Sequence, residues 1–323
     1  MAGLKRWAVA LAIMFAPVAA CAQEQGPDPD YRPQTARPAY AEQGPVILVD
    51  EAHGSAQTIE GRYAGFAALA RSDGYQIRAG RQRFDAPGAL DGVDILVISN
   101  PGLMVGGPNP SSFSVTEIRE IEAWVRAGGS LLLAADHHPH GVAAQDLGRA
   151  FGVRMGTGYA FRLDPERSVT SRLIFSRDAG TLGSHPITSG RGPEEAIGVV
   201  RSFTGQSIAG PQGATVLLAL RATDREAGNV ATLETIEARL ASGEDPEAVL
   251  EALSRPALPA QGLAFEHGLG RVVVLGEAGM LTAQRLSFPD GDDRPDFPFG
   301  LQTDGHDDEQ FARNIFHWLS RLI

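Results

Sequence analysis

Three runs of uninterrupted apolar residues mark the first half of the chain, and each one ends in polar side chains. Val46-Ile47-Leu48-Val49 leads into Asp50-Glu51-Ala52-His53-Gly54, Ile95-Leu96-Val97-Ile98 into Ser99-Asn100, and Leu131-Leu132-Leu133-Ala134-Ala135 into Asp136-His137-His138-Pro139-His140. Runs of four or five such residues fit strands covered on both faces of a parallel sheet. A shorter strand is expected at 75–78. Between the strands the period changes to that of a helix. Tyr63, Phe66, Ala67 and Ala70 share one face after Thr58, and Asp73-Gly74 closes that helix. Ser114 and Glu117 form an S-x-x-E capping box before Ile118, Ile121, Trp124 and Val125, and Gly128-Gly129 stops the helix. Ala143, Leu147, Ala150 and Phe151 mark a third helix.

Strands alternating with helices through 46–152 predict an α/β fold with a doubly wound, mostly parallel sheet. The second half adds β-rich pieces. Strands are expected at 215–220, 262–266 and 272–275, the last two as a hairpin around Gly268-Leu269. Ile236, Leu240, Val249 and Leu253 among many charges predict a helical insertion over 223–258. Phe311, Ile315, Trp318, Leu319 and Leu322 form the stripe of a last helix that docks on the sheet. The folded part is thus expected as one domain over 45–323.

What precedes it reads as an address. Lys5 and Arg6 are followed by 14 apolar residues at 7–20, too few to span a bilayer comfortably, so 1–20 are expected to be a signal peptide. Val18-Ala19-Ala20-Cys21 resembles a bacterial lipobox, which implies lipidation of Cys21; ordinary cleavage after Ala22 is the alternative. Either way the protein is expected to be exported. Lipidation implies a periplasmic protein held at the outer membrane. Residues 22–44, with Pro27, Pro29, Pro33 and Pro38, read as a tether able to reach roughly 70 Å in a polyproline-like state.

Charge narrows the partners. The 323 residues carry net charge -11, and loss of Lys5 and Arg6 takes it to -13, which repels nucleic acid and anionic lipid. Membrane contact is therefore expected only through the lipid anchor. Lys5 is the only lysine and Cys21 the only cysteine, so a mature Schiff-base lysine, a P-loop lysine and a disulfide framework are all excluded.

In doubly wound sheets ligands sit beyond the carboxyl ends of the strands. There the sequence places Asp50, Glu51 and His53, then Asn100, then Asp136, His137 and His138, and finally Glu277. His53, Asp136, His137 and Glu277 are the candidates for acid–base catalysis, because imidazole and carboxylate can exchange protons near neutrality. His53, Asp136, His137 and His138 could instead hold a divalent metal, the one cofactor these residue types suggest. Asp50, Glu51, Asn100, His185 and Asn314 are ligand-binding candidates. Bland roles compete throughout: Asp50 and Asp136 as caps, His140 as a solvated loop residue, His185 as part of a turn. His267 reads as hairpin surface, and His317 lies on the polar flank of the last helix, about 120° from its stripe. Asp290, Asp292, Asp293 and Asp296 read as a solvated acidic loop, without EF-hand spacing for calcium.

These segments together carry a resemblance. V-I-L-V-D-E-A-H-G, I-L-V-I-S-N, I-E-A-W-V-R-A-G-G-S-L-L-L-A-A-D-H-H-P, S-H-P-I-T-S-G, G-E-A-G-M-L-T-A-Q and Q-F-A-R-N-I-F-H-W-L resemble an uncharacterised family of exported bacterial proteins. That family is similar in fold to the class I glutamine amidotransferase superfamily and its trehalose-utilisation (ThuA-like) branch, which implies a flavodoxin-like architecture. The superfamily's cysteine nucleophile has no counterpart here, so glutaminase chemistry is excluded. Two functions remain: a hydrolase or lyase of a small polar molecule, with carbohydrate implied only by the resemblance, or a non-catalytic lipoprotein that binds a ligand or an envelope partner in the same cleft.

Overall fold

The computed structural model describes residues 24–33, 35, 37–103, 110–288 and 295–323. The leader, Cys21, Asp290, Asp292 and Asp293 lie outside them. Along the chain come β1 (Glu24–Pro27), β2 (Val46–Asp50), α1 (Ala64–Ser72), β3 (Gln76–Gly80), β4 (Ile95–Ser99), α2 (Val115–Arg126), β5 (Ser130–Ala134) and α3 (His140–Ala150). Short strands follow: β6 (Arg154–Met155), β7 (Tyr159–Leu163), β8 (Val169–Thr170) and β9 (Ile174–Ser176), then the single-turn α4 (Pro186–Ser189). Next are β10 (Val199–Arg201), β11 (Ile208–Ala209), β12 (Thr215–Ala219), β13 (Arg225–Ala227), α5 (Val230–Ala241), α6 (Pro246–Leu253) and β14 (Arg255–Pro256). The chain ends with β15 (Ala260–His267), β16 (Gly270–Leu275), β17 (Ala283–Ser287), β18 (Phe297–Gly300) and α7 (Asp308–Leu319).

The central sheet has nine strands in the order β3-β2-β4-β5-β16-β15-β11-β6, with β12 also on β15. Its first five strands are parallel, and the remainder join antiparallel. Numbered among themselves the parallel strands run 2-1-3-4-5, the flavodoxin-like order. Alternate side chains of each strand feed two cores. Ile47, Val49, Ile95, Val97, Leu132, Ala134, Val273 and Leu275 pack with Phe66, Leu69, Phe311 and Ile315 of α1 and α7. Leu48, Leu96, Ile98, Leu131, Leu133, Val272 and Val274 pack with Ile121, Val125, Leu147 and Phe151 on the side of α2 and α3. The result is a three-layer α/β/α sandwich whose strands are apolar on both faces, as their sequence requires.

The helical pair expected at 223–258 is present, with α5 and α6 capped by Asn229 and Asp245. It is not a loose graft. Leu233, Ile236, Leu240, Val249 and Leu250 make a small core with Phe161 and Val169 of the neighbouring β7 and β8. Arg162 binds both carboxylate oxygens of Asp224 at 2.9 Å, and buried Glu226 accepts the N–H of Gly158 at 2.6 Å.

The tether reading needs correction. Residues 24–27 pair antiparallel with β17, whose other neighbour is β18, so this segment is the edge of a three-stranded sheet. Tyr31 is buried and donates to Glu309 at 2.7 Å, Ala39 N–H donates to Asp73 at 2.7 Å, and Tyr40 packs edge-on against Tyr75. Composition pointed to an unfolded linker because so few residues are apolar; two tyrosines and backbone pairing suffice to dock it. Among the described residues no helix is long and apolar enough to cross a membrane.

Candidate functional site

Strand order decides which of the predicted groups can meet. β2, β4, β5 and β16 are consecutive neighbours, so the polar residues beyond their carboxyl ends share one edge. Asn100 and Asp136 lock together there. Asn100 Nδ2 donates to Asp136 Oδ2 at 2.6 Å, while Asp136 N–H donates to Asn100 Oδ1 at 2.8 Å. Asn100 has φ +44°, a left-handed value that asparagine tolerates better than most residues. From the next strand, Ala278 N–H donates to Asp136 Oδ1 at 2.7 Å. The Asp136 carboxylate is thus held at both oxygens while remaining partly open to solvent.

Glu277 sits directly behind it and is fully buried. Its carboxylate accepts the N–H groups of Gly279 at 2.6 Å and Met280 at 2.8 Å, capping a short 3-10 turn. Burial, and then the Asp136 charge, push its pKa well above the usual carboxylate range despite those two donors. Gly205, at φ +111°, lets the facing loop approach: a Cβ there would lie 2.8 Å from that of Glu277. Ser99 Oγ donates to the buried Tyr63 hydroxyl at 2.7 Å, and burial followed by the charges of Asp136 and Glu277 raises the phenol's pKa. Arg62 reaches the same field; burial lowers its pKa while Asp136 opposes the shift.

His137 completes the edge. Its ring stacks on Tyr159 with centroids 3.8 Å apart, and Nδ1 lies 2.8 Å from the carbonyl oxygen of His138. A carbonyl only accepts, so Nδ1 carries the hydrogen and Nε2 presents a lone pair. Burial lowers the pKa of His137, with Asp136 pulling the other way, and so favours the neutral ring. His140 repeats the arrangement with Nδ1 3.0 Å from the Pro101 carbonyl. Gln206 braces the loop from beneath, donating to Ala135 O at 2.8 Å and accepting from Thr157 N at 2.7 Å.

His53 does not join them. Nδ1 lies 2.8 Å from Asp50 Oδ2 and Nε2 2.9 Å from Glu117 Oε1, and the ring is wedged between Phe84 and Phe113. With a carboxylate on each nitrogen the imidazole is doubly protonated. Burial alone lowers its pKa, but Asp50 and Glu117 together outweigh burial and raise it. No lone pair is left for a metal or a substrate proton, so His53 and Asp50 form a buried ion cluster rather than part of the site. Glu51 is likewise spent on its own loop, accepting from Ile59 N at 2.9 Å and Arg81 Nε at 3.2 Å.

Three other candidates also lie elsewhere. His138 is exposed, and its backbone N–H donates to Thr157. His185 caps α4 by accepting Ile187 N–H and lines a different cavity with Arg271 and Trp318; burial, aided by Arg271, takes its pKa down to about 4. Asn314 Nδ2 donates to Ile187 O and Glu195 O, both at 2.8 Å, and is a buried tie between α7 and a loop. Among the described residues no group of three or more His, Cys, Asp or Glu side chains is arranged to hold a metal ion. The ligand set His53, Asp136, His137 and His138 is therefore not formed.

Arg62, Tyr63, Tyr159 and Gln206 were missed by sequence reasoning. Tyr63 reads as one more apolar position on its helix, and the other three come from turns and short strands with no local signal.

No protein-family model and no curated protein matches the chain. Among solved structures it is similar to the mmIFT52 N-terminal domain at 13% identity, covering 85% of this chain and 97% of that one, with a TM-score of 0.55. That likeness shows the fold alone. A cytoplasmic protein from Salmonella typhimurium (12% identity, 85% and 98% covered, TM-score 0.44) and a putative ThuA-like protein from Bacteroides uniformis (11%, 89% and 94%, 0.39) are more remote.

Proposed function

We propose that the edge carrying Asp136 and His137 is the active site of an exported, lipid-anchored hydrolase or lyase acting on a small polar molecule by acid–base chemistry. The observation that carries this reading is the geometry of His137: Nδ1 is fixed by a backbone carbonyl, and Nε2, without a hydrogen-bond partner among the described residues, lies beside a partly open carboxylate. Nε2 accepts a proton from a substrate hydroxyl or from water. The imidazolium so formed is stabilised by the Asp136 charge. Beside it, burial and then the Asp136 charge raise the pKa of Glu277 well above the ordinary carboxylate range, a perturbation of the kind found at acid–base sites. The resemblance to the ThuA-like branch makes hydroxyl-rich, carbohydrate-type substrates the first to try.

The test is turnover of a panel of p-nitrophenyl glycosides and esters by the purified protein. His137→Gln is expected to lower kcat by about 10²–10⁴-fold, the usual span for a general base. Wild-type activity is expected to hold below pH 6.5, falling only as His137 protonates at its lowered pKa. Ligand retention without turnover on any of these substrates would replace the enzyme by a binding protein that uses the same cleft.

A further inference from the structure

Away from the Asp136 edge, a cavity of about 750 Å³ lies between α7, the end of α1 and the 191–195 turn, and polar or charged side chains alone line it. Its floor is an imidazole–carboxylate pair. His317 Nε2 lies 2.6 Å from Asp73 Oδ2, so Nε2 carries a hydrogen. Both side chains are about 1% exposed, yet His317 Nδ1 has no hydrogen-bond partner among the described residues. The atom facing it is Glu195 Oε2, 4.0 Å away, too far for a direct bond and suited to one bridging donor.

The surroundings hold that gap open. Arg191 Nε and its backbone N–H donate to Glu195 at 2.8 Å each, and Asn314 ties the Glu195 carbonyl to α7. Gly190, at φ +63°, is required by the turn, since a Cβ there would fall 2.3 Å from that of Glu195. Most charges of the lining are matched internally: Arg191 with Glu195, Asp73 with His317, and Arg313 with Glu309. Arg37 and Glu194 form no ion pair among the described residues, which leaves one charge of each sign at the rim. A buried polar atom without a partner is destabilising, so an orphan in a cavity of ligand size points to an occupant.

We propose that this cavity is a second ligand site, for a zwitterion of amino-acid or dipeptide size, whose ammonium group bridges His317 Nδ1 and Glu195 near Glu194 and whose carboxylate pairs with Arg37. An ammonium group supplies the several hydrogens the gap needs, and a carboxylate matches the planar guanidinium. Neither function depends on chemistry at Asp136.

The test is calorimetry of the purified protein with the dipeptide alanylalanine, its N-acetyl form and its C-terminal amide. The free dipeptide is expected to bind at least about tenfold tighter than either blocked form. Arg37→Gln should erase the preference for acid over amide, Glu194→Gln the preference for free amine over acetyl, and His317→Gln should weaken all binding at least about tenfold. The nitrogen-15 signal of His317 Nδ1 should move on saturation. Arg37 and Glu194 are exposed, so their variants fold even if His317→Gln does not. Absence of binding at about 10 mM dipeptide, equal binding of all three probes, or affinity unchanged in the Arg37 and Glu194 variants would overturn the proposal.

Discussion

Two histidines follow two strands of the same sheet, each in a run of acid and imidazole, and the fold treats them in opposite ways. His53 has a carboxylate on each nitrogen and aromatic rings on its faces, so its capacity is used up within the protein. His137 spends one nitrogen on a carbonyl, one face on Tyr159, and keeps Nε2. The difference lies in what arrives from elsewhere. Glu117 on α2 reaches His53, whereas among the described residues no carboxylate is hydrogen-bonded to His137. Position at a strand end is thus no guide to chemistry until the count of remaining lone pairs is known.

The sharpest way to break this contrast is Glu117→Ala. It strands a buried cation, frees Arg83 and removes the capping box with Ser114. A loss of about 3–5 kcal/mol in urea unfolding is expected, as for removal of one partner of a buried pair. A loss below about 1 kcal/mol would make the two regions equivalent.

Asp136→Asn is expected to cost less, about 1–3 kcal/mol, because the two oxygens that face Asn100 Nδ2 and Ala278 N–H cannot both remain acceptors. The same change removes a charge from beside Glu277, whose carboxyl stretch in the infrared should then titrate at lower pH. An unmoved band would separate the two carboxylates.

The pH dependence of stability sharpens the contrast further. His53 has a raised pKa when folded, so its stabilisation is complete below about 6.5 and is lost as pH rises through the folded value. Glu117 is shifted down, burial being outweighed by Ser114 N–H, His53 and Arg83, so its contribution is present above 4.5 and lost as pH falls through the folded value. Urea midpoints should therefore be highest between these limits in the wild type and lose their alkaline decline in His53→Gln. The smallest effect is expected for His138→Ala, within about 0.5 kcal/mol in stability and near wild type in turnover, since the side chain is exposed. A tenfold fall in turnover would return His138 to the site.

Much of the scaffold was legible because it depends on local pattern. The apolar runs at 46–49 and 95–98 are strands, that at 131–135 is one up to Ala134, and Ser114 with Glu117 does form the capping box. That same Glu117 also shows the limit: one side chain caps its helix and neutralises His53, 64 residues earlier, and only the first role is written in its spacing. Asn100, Asp136 and Glu277 were found because strand ends converge in any doubly wound sheet. His317 was placed on a polar flank by its helical angle; Asp73, at the end of α1, turns that flank into a buried interface. Tertiary contact, not period, settled each of these.

The docking of residues 24–27 along β17 has one consequence for the lipid anchor proposed at Cys21. Only residues 22 and 23 separate Cys21 from the edge strand, so if Cys21 carries the proposed lipid the leash would shorten from roughly 70 Å to about 10 Å at full extension. A globule on so short a leash cannot tumble freely. Under that proposal the sheet of β1, β17 and β18 would be kept next to the bilayer, and the orientation of the whole domain would become a property of its first ordered strand.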